Sequence, residues 1–304
     1  MPAEGTPHGW LVIDKPLGLS SSRVVAVIRR ATAAKSGHAG TLDPWATGVL
    51  PIALGEATKT VAYAMNGRKS YRFRIRWGIA RTTDDREGIV SGECGSRPDR
   101  EAIEAALPRF TGAVLQSPPP YSAIKVKGER AYALSRAAKP PVLPPRIVQV
   151  TGFRLLGMPD RDHADFEAHV SKGTYVRALA RDLAAALGTL AYVAELRRLS
   201  VGRFTEAQAI SLDAVVACRH SLVRSGYLLP IESALDELPA LDLTSAEAAR
   251  LCCGQRVILQ DPDIRADVSR LDEGAVVAAY HARTLVALAK TENGGLRPSR
   301  VIHR

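Results

Sequence analysis

Gly37-His38-Ala39-Gly40-Thr41-Leu42-Asp43-Pro44-Trp45-Ala46-Thr47-Gly48 is the stretch on which the reading of this chain turns. Three glycines, Pro44 and the lack of any sustained apolar period make residues 37–48 a loop. Asp43 precedes Pro44, so its backbone is pushed toward an extended conformation. A carboxylate on a stiff loop, flanked by glycines that let a ligand approach the backbone, suits a nucleophile. The same residue can equally open a turn or cap a helix, as Asp-Pro commonly does. His38 alone fits a packing or hydrogen-bonding role as well as a chemical one. The loop is neither GxGxxG nor a phosphate-binding P-loop, because no Lys-Ser/Thr follows its glycines.

Upstream, residues 1–9 read as a loose tail and Trp10-Leu11-Val12-Ile13 as a short strand. Asp14-Lys15-Pro16-Leu17-Gly18 closes that strand with turn chemistry. Ser20–Ser22 offer caps for a helix carrying Val24, Val27, Ile28 and Ala31. Downstream, Tyr71, Phe73, Ile75 and Trp77 alternate with Arg72, Arg74 and Arg76, giving a half-buried strand with a basic face. Asp99 caps a helix through Leu107. Residues 117–146 hold seven of the 19 prolines, interleaved with Lys125, Lys127, Arg130, Arg136, Lys139, Arg146, Tyr121 and Tyr132. That mixture favours a binding loop over a plain linker. Asp165–Ser171 alternates as a strand, Gly173-Thr174 breaks it, and Val176, Leu179, Leu183 and Leu187 form a helical stripe ending at Gly188.

Arg177 falls in the first turn of that helix, where the macrodipole disfavours a cation by about 0.3–1 kcal/mol. A nearby phosphate or carboxylate such as Asp43 would explain it; so would a solvated surface position. Tyr71 can belong to the core or stack on a base, and Tyr175 carries the same ambiguity.

The 304 residues suffice for two domains, with a boundary around Ser233–Pro239. Beyond it, Thr244 and Glu247 have capping-box spacing for a short helix. Arg256–Gln260, Ala275–Tyr280 and Thr284–Lys290 read as strands, so residues 236–304 form a small, mostly β unit. Those residues hold 9 basic and 10 acidic side chains against a total charge of +10, leaving +11 on residues 1–235. An excess of that kind points to a polyanionic partner, though a merely soluble basic surface has the same composition. No apolar run reaches the roughly 20 residues of a membrane span. Met1–Trp10 has no secretory-signal character. Cys94, Cys218, Cys252 and Cys253 form no CxxC pair, and no metal-ligand cluster is evident, which fits free thiols in a reducing cytoplasm.

Several segments together resemble one family. These are Asp14–Gly18; Gly37–Pro44 with Ala46, Gly48 and Leu50; Leu54-Gly55-Glu56-Ala57-Thr58-Lys59; Tyr71; Gln116-Ser117-Pro118-Pro119-Pro120-Tyr121-Ser122-Ala123; Ser171-Lys172-Gly173-Thr174-Tyr175-Val176-Arg177; and Leu196-Arg197-Arg198. In order, over about residues 10–215, they are similar to the TruB family of tRNA pseudouridine 55 synthases. The departures are Trp45, where the family more often has Leu, a proline-richer 135–145, and a loosely matched tail.

The resemblance implies an α+β fold: a mixed, largely antiparallel central sheet with flanking helices in residues 1–235, the basic insertion at 117–146, and a PUA-like RNA-binding β domain at 236–304. It implies a cytoplasmic, cofactor-free and metal-free isomerase that converts a uridine in the T arm of tRNA to pseudouridine, with no obligate protein partner. Asp43 falls on the nucleophile, Tyr71 on the residue stacking on the flipped base, and Arg177 on the partner that keeps Asp43 ionised. His38, Tyr175, Leu196, Lys15 and Gly40 fall on positions that contact or shape the uridine pocket. Attack by Asp43 on the sugar or on the ring is equally compatible with these residues. A guide-RNA-dependent relative acting on ribosomal RNA and a non-catalytic RNA binder are the competing expectations.

Overall fold

Alternation between the two faces of its strands organises the larger part of the chain. The computed structural model describes residues 6–303 apart from 123, 127, 137–140 and 220. Residues 1–5 of the expected tail, and Ala123, Lys127, Lys139 and Pro140 of the 117–146 stretch, lie outside the described residues. The main sheet contains β1 (Gly9–Lys15), β2 (Thr47–Leu54), β3 (Lys69–Trp77), β4 (Gly112–Gln116), β5 (Arg146–Asp160), β6 (His163–Val170) and β7 (Ala191–Val201), in the order β1-β2-β7-β3-β6-β5-β4. Short strands at Ser36–His38 and Phe204–Thr205 bring it to nine. Only β2 and β7 run parallel among the pairs on this path, so the sheet is mixed and largely antiparallel.

Helix α1 (Ser21–Thr32) starts at Ser20, whose side chain accepts from Arg23 N, and α2 (Arg100–Ala106) starts at Asp99, which accepts from Ala102 N. Helix α3 (Val176–Ala186) packs Val176, Leu179, Ala180, Leu183 and Ala184 against the apolar face of β3 and β6. There Phe73 stacks on Phe166 at 5.7 Å, and Trp77 meets Phe166 edge-on at 6.2 Å. Such pairs add about 0.5–1.5 kcal/mol each beyond the area they bury.

The other face of β3 is basic, as its alternation shows, but its cations are paired. In register with β6, Arg74 forks onto Asp165 at 2.7 and 2.9 Å. Arg76 pairs with Asp162 at 3.1 Å and Arg72 with Glu167 at 3.6 Å. The alternation in β3 displays its cations but not the carboxylates that the next strand lays beside them. The expected 37–48 loop is also shorter, because 36–38 and 47–54 pair as strands.

The C-terminal sheet comprises β8 (Ala240–Asp242), β9 (Val257–Ile258), β10 (Val276–His281), β11 (Thr284–Glu292) and β12 (Gly295–Val301), in the order β8-β10-β11-β12-β9. Thr244 and Glu247 form the expected capping box of α4 (Ser245–Cys252). A second helix, α5 (Pro262–Ser269), capped by Asp261, lies in a stretch to which the sequence reading assigns no element. The two sheets share apolar packing: Ala278, Leu285, Leu288 and Ile302 join Trp10, Val12 and Phe204 in one buried cluster. Lys59 Nζ donates to Val301 O at 2.7 Å, and His303 N to Glu56 Oε2 at 2.7 Å. No described helix is long and apolar enough to cross a membrane.

Candidate active site

Between β2's start and α1 the chain must turn, and buried side chains fix how it does so. Leu42 and Trp45 are both buried in the core that also holds Tyr71. With those two turned inward, Asp43 between them faces out. Backbone anchors hold the loop: Leu42 N donates to Ser21 Oγ at 2.8 Å, Gly18 N to Pro44 O at 2.8 Å, and Ala39 N to Pro51 O at 2.9 Å. The guanidinium of Arg198 reaches the loop from β7, donating to Gly40 O at 3.0 Å and to Val49 O at 2.8 Å. Gly40 adopts φ +101°, a conformation open to glycine, and turns that carbonyl to meet it.

Asp43 is about a third exposed, and its Oδ2 lies 3.2 Å from Arg177 Nη2. Arg177 is itself buried. Its Nη1 pairs with Asp85 Oδ2 at 3.0 Å and donates to Thr83 O at 2.9 Å, while Nη2 donates to Tyr121 O at 2.9 Å. The cation at the start of α3 therefore meets two carboxylates, which offsets the unfavourable macrodipole. Burial pushes the Asp43 carboxyl above the usual range, and the neighbouring Asp85 adds to the rise. Arg177, Lys15 and Arg198 pull it down without cancelling the burial. Arg177 thus favours the ionised Asp43 carboxylate, but desolvation outweighs it.

Asp43 opens into a cleft of about 500 Å3. Tyr71, Tyr175, Leu196, Gly40 and Arg177 line it too. Tyr71 sits in the apolar core and also reaches the cleft wall. Tyr175 is held by Gln116, whose side chain accepts from Tyr175 N at 2.8 Å and donates to Tyr175 O at 3.2 Å. Arg146 stands over the Tyr175 ring at 5.2 Å. From the 117–146 stretch, Ile124 and Arg146 reach the cleft.

Two of the expected residues are not brought into it. Lys15 is fully buried beneath the loop, donating to Leu19 O at 2.7 Å, Pro16 O at 2.9 Å and Pro44 O at 3.2 Å. Its three N–H donors are thereby used on backbone, and burial lowers its pKa to about 8. His38 sits on the short strand opposite Ile52, outside the cleft lining. The sequence reading gave no role to Arg198, Asp85 or Lys69. Arg198 had a signal, since the period of two on β7 puts it on the same face as Leu196. Asp85 had none, because Asp84-Asp85-Arg86 reads as a solvated turn.

Two solved structures share this architecture. A Cbf5-Nop10-Gar1 complex matches with a TM-score of 0.74 and 26% identity, covering 97% of this chain and 84% of that one. An H/ACA RNP bound to a substrate RNA containing 2′-deoxyuridine matches with a TM-score of 0.73 over 98% and 86% of the two chains, at 24% identity. Residues 29–176 match the model of the TruB family pseudouridylate synthase N-terminal domain, and residues 177–236 that of the tRNA pseudouridylate synthase B C-terminal domain. Fold and matched regions together define the class, a pseudouridylate synthase. Relatives named tRNA pseudouridine synthase B include those of Rhodospirillum rubrum, 51% identical and covering 97% of this chain and 96% of the relative, and Bradyrhizobium diazoefficiens, 50% identical over 97% and 86%. The chain belongs to the TruB family, whose reaction is the isomerisation of uridine in tRNA to pseudouridine.

Proposed function

We propose that this chain isomerises uridine 55, in the T arm of tRNA, with Asp43 as the nucleophile acting on a flipped nucleotide. The observation that carries the proposal is Asp43 itself: an outward-facing carboxylate at the wall of a nucleotide-sized cleft, fixed by Arg177 at 3.2 Å. The isomerisation breaks the C1′–N1 bond, turns the base and joins C1′ to C5. The proton leaves C5 and one is taken up at N1, so nothing is oxidised or reduced. A bond from Asp43 to C1′ would form as the C1′–N1 bond breaks and be displaced when C5 joins C1′, with the pocket alone holding the base; a bond to ring carbon C6 would tether the base itself until the carboxylate leaves again.

Extruding the uridine costs on the order of a few kcal/mol. Stacking on an aromatic wall returns about 1–3 kcal/mol, and Tyr71, which lines the cleft, supplies it in this reading. Tyr175, Leu196 and Gly40 shape the pocket. Lys15 acts from beneath, by holding the carbonyl of Pro44 next to the nucleophile. His38 contributes through the strand that leads into the loop. Residues 1–235 form the catalytic unit, the 117–146 insertion grips the T stem-loop, and the PUA-like residues 236–304 add RNA contact. The enzyme works in the cytoplasm without an obligate protein partner.

Incubation of the purified chain with an unmodified tRNA transcript, followed by pseudouridine mapping, tests this reading. One new pseudouridine at position 55 is expected; modification elsewhere, or none, overturns it.

A further inference from the structure

Two groups of cationic side chains contrast among the described residues. Those on the outer face of β3 and its neighbours are neutralised by carboxylates at 2.6–3.6 Å. The cleft differs: Lys69, Arg146, Lys172, Arg177 and Arg198 line it against one carboxylate, Asp43. Arg177 is saturated by Asp43 and Asp85, Arg198 by loop carbonyls, and Arg146 lies over Tyr175 and donates to Gly173 O. Lys69 and Lys172 remain. Among the described residues neither makes an ion pair. Lys69 donates to Met65 O at 2.6 Å and Gly67 O at 2.5 Å, and Lys172 donates to Asn66 Oδ1 at 2.8 Å.

We propose that Lys69 and Lys172, at the Met65–Asn66 end of the cleft, form a subsite for one backbone phosphate of the bound RNA. This rests on the reading of Asp43's cleft as the site of tRNA modification and extends it to how the strand is held there. A cation buried to the extent of Lys69 without a carboxylate is costly, and the cost falls when an anion arrives. The carbonyls that Lys69 contacts close the helix Val61–Asn66, whose negative dipole end holds the ammonium in place while leaving its charge uncancelled. Met65 also lines this end, offering an apolar surface beside the charge.

Burial lowers the Lys69 pKa to about 8, with Arg198 and Lys172 pushing the same way. Glu237, across the domain boundary, opposes them weakly. An adjacent phosphate favours the ammonium. RNA binding therefore takes up protons near pH 8, and affinity falls as pH rises through that value. Lys15 titrates in the same range, so the wild-type profile alone does not isolate Lys69. An arginine at position 69 stays charged and does.

The test measures tRNA dissociation constants from 50 to 300 mM KCl and from pH 7 to 9.5, with single-turnover rates at saturating enzyme. Lys69→Met with Lys172→Gln is expected to weaken binding about tenfold and to reduce the slope of log K against log salt by about 0.7–0.9, one phosphate contact. Lys69→Arg should bind as tightly as wild type at pH 7.5 and lose less affinity by pH 9. An unchanged salt slope in the double variant, or a rate collapse with unchanged affinity, overturns the subsite. Should Lys69→Met fail to fold by circular dichroism, Lys172→Gln and Lys69→Arg carry the same test. If wild type binds tRNA but makes no pseudouridine, the reading of the cleft fails while the slopes still decide the subsite.

Discussion

Arg177 joins two carboxylates that would otherwise face each other in a partly desolvated space. Removing it as Arg177→Ala strips Asp43 of its largest attractive partner and leaves Asp85 buried and unpaired. Turnover is expected to fall by roughly a hundredfold or more, the scale for loss of a preorganised charged donor. Arg177→Lys should rescue only partly, because an ammonium cannot fork between two carboxylates. The raised pKa of Asp43 has a consequence with a definite sign. With the ionised carboxylate as the proposed nucleophile, the single-turnover rate is expected to fall as pH drops through a midpoint above the usual aspartate value of about 3.9. Asp85→Asn removes a like charge and should move that midpoint down; an upward move would show that Asp85 does not act through charge.

At the scale of elements, the approach of β2 to β7 is tight at one point. Gly48 has φ +99°, and a Cβ there would collide with the Arg198 backbone. Gly48→Ala is expected to cost about 1–3 kcal/mol in denaturant unfolding. Gly157→Ala, with open space around it, should stay within about 0.5 kcal/mol. Equal effects would remove the close approach as a constraint. The elements legible in the sequence were those whose signals are local: the Ser20 and Asp99 caps, the alternation of β3, and the stripe of α3. The 15-residue β5 was not, because register shifts against β6 disturb its alternation. Helix α5 hid behind Asp261-Pro262, which reads as a turn until the Asp side chain is seen capping Asp263 N and Ile264 N. In the site, Asp43 and Arg177 were legible through their motifs. The position of Lys15 beneath the loop was not, since it depends on three carbonyls that the fold alone brings together.

Across the whole molecule, the positive excess of residues 1–235 fits a family that acts on tRNA, but the structure divides those cations unevenly between paired and unpaired positions. The strongest run of cations, on β3, is spent on Asp165, Asp162 and Glu167. Arg72→Ala with Arg74→Ala should therefore lower the melting temperature and leave the salt slope of tRNA binding unchanged. A slope reduced by one or more would return that face to the RNA footprint. The C-terminal sheet, with no net positive charge, is built into the apolar cluster around Trp10 and Phe204, so it shares a core with β1.

The most direct test of the account is the single-turnover yield of pseudouridine from unmodified tRNA by Asp43→Asn, an isosteric change that deletes the nucleophile's charge and little else. Intact folding, tRNA affinity within a few-fold of wild type and no detectable product are expected. Product formed at a rate near that of wild type would contradict it.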